Sequence, residues 1–198
     1  MSRFAAVAAW LAAGLFLLAL AGFGAAYEGY SQALHPPALL GASGVGYATA
    51  FNLLGFVVPG LLVAVVAIGL RGQLDHARPI ARIGAWLWLL SALAFAAQGL
   101  LPLDPADLDA PSSRLHATAW TLWWVAFVPG AGLLAVGLGR DPRWRALRAA
   151  AAMAAAGLPL FALAPLGLPA GVAQRVALVA WFGCLLVAGF AARRRSQP

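Results

Sequence analysis

Apolar runs of about 20 residues recur six times along this chain, and no acidic or basic residue lies at the centre of any of them. At 1.5 Å rise per residue, one such run as a helix crosses a hydrocarbon core of roughly 30 Å. In water each would expose apolar surface on all sides, because none has the polar face of a surface helix. Bilayer is the solvent that suits them. The whole chain agrees: 63% of its 198 residues are hydrophobic and 10% are charged, against roughly 25% charged in soluble domains. The windows run over 4–26, 47–70, 80–101, 115–138, 148–166 and 171–192. They predict an all-α integral membrane protein, a single domain built as a bundle of six transmembrane helices.

The first window follows Arg3 and ends in the small residues Gly24, Ala25 and Ala26. Its apolar stretch of about 22 residues exceeds the roughly 7–15 of a signal-peptide core, so it reads as a retained helix.

Net charge is +7 and all thirteen basic residues are arginine. Their placement separates two explanations of that charge. A nucleic-acid interface needs them on one face, whereas here they stand in short clusters between and after the apolar runs, which excludes nucleic acid as a partner. Eleven (Arg3, Arg71, Arg78, Arg82, Arg140, Arg143, Arg145, Arg148, Arg193, Arg194 and Arg195) fall on one side of the threading. Arg114 and Arg175 fall on the other, with Glu28, Asp104, Asp107 and Asp109. Arginine-rich short loops stay in the cytoplasm, so both termini are expected inside. Arginine without lysine, beside abundant alanine, points to a GC-rich bacterial genome and hence to a bacterial inner membrane.

Within the spans, Pro59 and Pro129 each remove a helical hydrogen bond and predict kinks. Gly157, Pro159, Pro165 and Pro169 make the fifth window the weakest, a helix expected to be bent or partly re-entrant. Phe56-Val57-Val58-Pro59-Gly60 is echoed by Phe127-Val128-Pro129-Gly130, with a leucine pair and an arginine stop after both. Duplicated helical hairpins would produce this echo, and so would recurrent glycine packing positions. Cys184, the one cysteine, lies inside the last window, which leaves no intrachain disulfide and no cysteine-based metal site. Trp120, Trp123 and Trp124, with Trp86 and Trp88, fit interfacial belts, while Trp10 and Trp181 lie deeper and fit core packing.

Polar residues collect in the two longest outer connections, 27–46 and 101–116. A site is expected where these meet, with Ser31, Asn52, Gln98, Gln174, Arg175 and Trp120 as binding candidates. Catalytic candidates are His116, Asp104, Glu28 and His35. His116 opens the fourth window one turn above Trp120 and beside a carboxylate-rich loop, and Asp104 stands where it could turn back into the bundle. His35, His116 and Asp104 have the donor atoms zinc uses, but no His-x-x-x-His or Glu-x-x-His spacing supports a metal, and neither a metal nor another cofactor is expected. The three aspartates alternate with proline and leucine too irregularly for a calcium loop and read as a solvated acidic segment.

The stretch from Tyr30-Ser31 to Leu40-Gly41-Ala42, then Phe51-Asn52 and Gly55-Phe56-Val57-Val58-Pro59-Gly60, resembles the first conserved block of a bacterial six-span family. Leu101-Pro102-Leu103-Asp104 followed by Leu115-His116 is similar to its second block. The family is the domain of unknown function numbered 998, and the resemblance covers essentially the whole chain. It implies a six-helix membrane domain with an outward polar region, and its recurrent polar positions correspond to Ser31, Asn52, Asp104 and His116. No cysteine stands beside Asp104, a departure from the family's second block.

The expected function is therefore binding of lipid, a small apolar molecule or a protein partner at an outward polar site, without catalysis. The partners in view are membrane lipids, a second copy of the chain or another membrane protein. Two alternatives compete: an enzyme acting on lipid head groups through the outer histidines and carboxylates, and a small transporter or channel subunit, which needs a continuous polar path through the spans.

Overall fold

The computed structural model describes residues 2–74, 77–163 and 167–193, and these form an all-helical protein without strands. Six long helices succeed one another among them. They are α1 Ser2–Ala26, α2 Ala48–Arg71, α3 Pro79–Leu100, α4 Pro111–Gly137, α5 Arg145–Leu163 and α6 Ala170–Arg193. Among the described residues, α1, α2, α3, α4 and α6 are long and apolar enough to cross a membrane. The window 148–166 coincides with α5, which stays helical through Gly157 and Pro159, while its residues 164–166 lie outside the described part, as do Arg194 and Arg195. α4 begins four residues before its apolar window because Pro111, whose fixed φ and missing N–H suit a first helical turn, starts the helix in polar sequence.

Each helix packs on its chain neighbours, and α6 returns to α1, so the bundle closes as a ring. One end gathers the start of α6 on the first connection, where Val172 N–H donates to Ala33 O at 3.1 Å. At the other end Gly69 and Gly189 approach Ala5 and Ala6 of α1, and Gly137 approaches Ala81. Neighbouring helices are thus antiparallel. The end bearing Glu28, Asp104, Asp107, Asp109, Arg114 and Arg175 is opposite the end bearing the arginines from Arg71 to Arg148.

Aromatic rings fill the middle. Phe95, fully buried on α3, meets Phe16 of α1 at 5.9 Å, Phe56 of α2 at 5.2 Å, Trp123 of α4 at 6.4 Å, and Trp181 and Phe182 of α6 at 4.7 and 6.0 Å. Trp88, Trp123 and Trp181 therefore belong to the core, and Trp86 and Trp124 to the periphery. Trp10 is 53% exposed, beside Phe190 at 5.9 Å, and so faces outward instead of packing inside. Large apolar side chains such as Leu18, Met153 and Val179 also point outward. An apolar exterior around a bundle interior rich in alanine and aromatics suits lipid contact.

Small residues set how closely the helices approach. A Cβ built on Gly60 would lie 2.7 Å from Ala96 N, and one on Gly130 would lie 3.1 Å from Gly84 O. Both Pro-Gly pairs thus seat a glycine on α3, from opposite flanks. Gly60 meets the helix after its own and Gly130 the helix before, which is not the equivalence that repeated hairpins would give. The local geometry differs too. α2 widens to π-helix over Asn52–Val57, just before Pro59, whereas α4 continues as α-helix through Pro129. A proline ring collides with the carbonyl four residues earlier, and a π turn relieves that collision.

A candidate binding cavity at the arginine-poor end

One guanidinium makes four of the bonds around the first connection, 27–47, a strap over the start of α6. Arg175 Nη1 donates to His35 O at 2.9 Å and Gly171 O at 2.8 Å, and Nη2 donates to Tyr30 Oη at 2.8 Å and Gln32 Oε1 at 2.6 Å. All four acceptors are neutral. The Tyr30 hydroxyl passes the link on, donating to Pro36 O at 3.3 Å. Burial pushes the Tyr30 phenol above its ordinary value despite the opposing pull of the Arg175 charge and hydrogen bond, so the hydroxyl keeps the proton it donates. Gly171 lets the strap lie against α6, since a Cβ there would come 2.6 Å from Ala33 O. Further along, buried Asn52 donates to Gly41 O at 2.9 Å, anchoring the short 3₁₀ turn Pro37–Gly41.

The second outer connection folds around Ser113. Its hydroxyl donates to Asp107 O at 2.9 Å and accepts from Asp104 N–H at 3.0 Å. The Asp104 carboxylate accepts from Ala106 N–H at 3.0 Å, and that of Asp107 from Asp109 N–H at 2.9 Å. Both are Asx turns. Ser43 N–H donates to Leu103 O at 2.8 Å, joining the two connections.

Between them lies a cavity of about 200 Å³. Pro36, Pro37 and Ala38 roof it. Phe56, Leu103, Ala117, Trp120 and Leu178 form its apolar walls, and Gln98, His116 and Gln174 bring the polar atoms. Gln98 is 1% exposed and its amide nitrogen has no hydrogen-bond partner. An unmade bond at a buried amide costs about 1–3 kcal/mol, so such a group is worth explaining. His116 Nδ1 lies 2.8 Å from Leu101 O, which can only accept, so Nδ1 carries a proton there.

Of the residues singled out from sequence, Gln98, His116, Trp120 and Gln174 are brought together at the cavity; Asp104, Glu28, His35, Ser31, Asn52 and Arg175 are not among its lining. Asp104 does not turn back into the bundle, because its carboxylate closes its own turn. Glu28 is exposed. His35 does not join His116: its Nδ1 accepts from Ser31 N–H at 3.0 Å within the strap. Asn52 and Arg175 hold the roof's flanks instead of forming a floor. Among the described residues no group of three or more His, Cys, Asp or Glu is placed to hold a metal ion, so His35, His116 and Asp104 do not form a ligand set. Sequence reasoning missed Ser113 and the proline roof. The Ser-Ser pair just inside a Pro-initiated helix was the available signal for the first.

No family model, curated protein or solved structure matches the chain.

Proposed function

We propose that the chain is a six-span protein of the bacterial inner membrane that binds a lipid or small apolar molecule in the cavity at its outward end. The observation that carries this reading is the cavity itself, about 200 Å³ between the two outer connections, walled by Trp120, Phe56 and Leu178 and lined also by the buried Gln98 and His116. In this reading α5 is the sixth span, and the arginine-rich end with both termini faces the cytoplasm, as charge asymmetry across short loops dictates. Membership of the family of the domain of unknown function numbered 998 is part of the proposal and rests on the motifs quoted above.

Binding suits the geometry better than catalysis, since no carboxylate lines the cavity beside His116. Conduction is disfavoured by the ring cluster around Phe95, which fills the middle of the bundle where a polar path would run.

Native mass spectrometry after detergent stripping checks the proposal. The wild-type chain is expected to retain a non-covalent small-molecule adduct, and Ala117→Phe, which introduces a ring at the cavity wall, to lose it. Identical spectra without an adduct in either protein would count against the cavity as a binding site.

A further inference from the structure

We infer that a groove between α1 and α6 holds one acyl chain of a net-anionic phospholipid, whose phosphate pairs with Arg175. The groove is separate from the outer cavity, with which it shares only Leu178.

Its shape fits a chain that enters from one membrane surface. α1 and α6 touch toward the arginine-rich end, where a Cβ on Gly189 would lie 3.1 Å from Ala6 Cα. Toward the arginine-poor end they leave a groove of about 320 Å³, with the buried rings of Phe16 and Phe182 in its lining and the exposed side chains of Leu17 and Val179 on its flanks. On α6 the lining runs from Leu186 to Arg175, about 16 Å of helix at 1.5 Å per residue. Half of a hydrocarbon core roughly 30 Å thick is nearly the same length, so the groove is one leaflet deep.

Charge sets the head group. Arg175 ends the groove at its interfacial end, its four hydrogen-bond acceptors are all neutral, and no ion pair among the described residues includes it. A cation between two membrane helices, left without a carboxylate, attracts an anionic lipid head. Gln32 marks where that head would sit. This exposed residue bridges the two sides of the groove: its Nε2 donates to Leu20 O of α1 at 3.1 Å, and its Oε1 accepts from Arg175 Nη2 at 2.6 Å. A phosphate oxygen can replace Oε1 on Nη2 while the bonds to His35 O, Gly171 O and Tyr30 Oη stay made, exchanging a neutral acceptor for an anionic one. A zwitterionic head carries its own cation and offsets less of the guanidinium charge.

Native mass spectrometry of the full chain, delipidated in detergent and titrated with phosphatidylglycerol or phosphatidylcholine of the same acyl chains, tests the inference. Phosphatidylglycerol is expected to form a saturable one-to-one adduct about fivefold tighter than phosphatidylcholine, the weight of one partly screened ion pair. Gln32→Glu should abolish that preference, because it gives the guanidinium an internal carboxylate where Oε1 lies, while limited proteolysis shows the strap still fastened. Phosphatidylglycerol bearing a diazirine midway along one chain should crosslink to residues 13–20 of α1 and 178–186 of α6. Ala117→Phe, at the outer cavity, should leave both the preference and the crosslinks unchanged, so the cavity and the groove can fail separately. Equal affinity for the two lipids, an undiminished preference in Gln32→Glu, crosslinks spread over all the helices, or loss of the adduct in Ala117→Phe would overturn the inference. So would a lipid-free dimer in place of the adduct, which would give the groove to a second copy of the chain. The comparison between lipids uses the wild-type protein and does not depend on any variant folding.

Discussion

Gly84→Leu is expected to yield little folded protein. A Cβ at this position would lie 2.7 Å from Gly130 O and 3.0 Å from Leu134 N, both backbone atoms of α4 that cannot rotate away. Larger side chains can be admitted only if α3 and α4 move apart along the most extensive helix pair of the bundle. That separation would also pull Gly137 off Ala81, whose Cα lies 2.8 Å from a Cβ built on the glycine. Overpacking costs about 1–3 kcal/mol where side chains can adjust, and here backbone must move, so we expect the upper end of that range or beyond. In a bilayer, helix association depends on such close packing, because lipid tails are as apolar as leucine. Size-exclusion chromatography and thermal unfolding in detergent check this, with Gly132→Ala as control, since its nearest neighbour, Ala155 Cβ, is 3.8 Å away. A Gly84→Leu protein that elutes and melts like the parent would refute the tight seam.

Arg175→Ala is expected to release the strap. The substitution deletes four donated hydrogen bonds and leaves Tyr30 Oη, Gln32 Oε1 and His35 O without their cationic partner. Hydrogen bonds to a charged donor contribute about 1.5–3 kcal/mol each in mutational series, and they do not add. For a half-buried guanidinium we expect a loss of about 2 kcal/mol. The local effect is larger than the global one. Residues 36–38 roof the cavity and are tied to Arg175 through Tyr30 and His35, so the strap should become protease-sensitive and ligand retention should fall with it. Arg175→Lys should not rescue it, since an ammonium cannot present paired nitrogens to acceptors on two sides. Limited proteolysis of the purified protein reads this directly, and an Arg175→Ala strap as resistant as the parent's would show that the clamp holds nothing in place.

Five of the six apolar windows were legible as helices fit to cross a membrane, because solvent preference is a local property: twenty apolar residues announce such a helix wherever they stand. So was the partition of charge, since the structure gathers Arg71 to Arg148 at one end and the aspartates 104, 107 and 109 at the other. Features built from distant residues were not legible. Arg175 and His35 are 140 positions apart, and nothing in either neighbourhood announces that one fastens the other. Trp123 looked like part of an interfacial belt beside Trp120 and Trp124, yet it packs inward against Phe95, because which face of an apolar helix meets lipid is decided by its neighbours. The candidate site divided along the same line. His116, Gln98 and Trp120 converge because they share helix ends that the threading had already placed together. Asp104 and His35 left the set because short-range bonds, to Ala106 N–H and from Ser31 N–H, occupy them first. The π segment before Pro59 was readable only as a kink, since proline states that a bond is lost and not how the backbone absorbs it.

The account depends on the arginine-poor end, cavity included, facing away from the cytoplasm. Cysteine labelling tests that most directly, because Cys184, the one native thiol, is buried and can be replaced by alanine. On that background, Asp107→Cys is predicted to react with a membrane-impermeant maleimide in intact spheroplasts, and Arg143→Cys only after the membrane is opened. Labelling of Arg143→Cys alone in intact spheroplasts, or equal labelling of both, would contradict it.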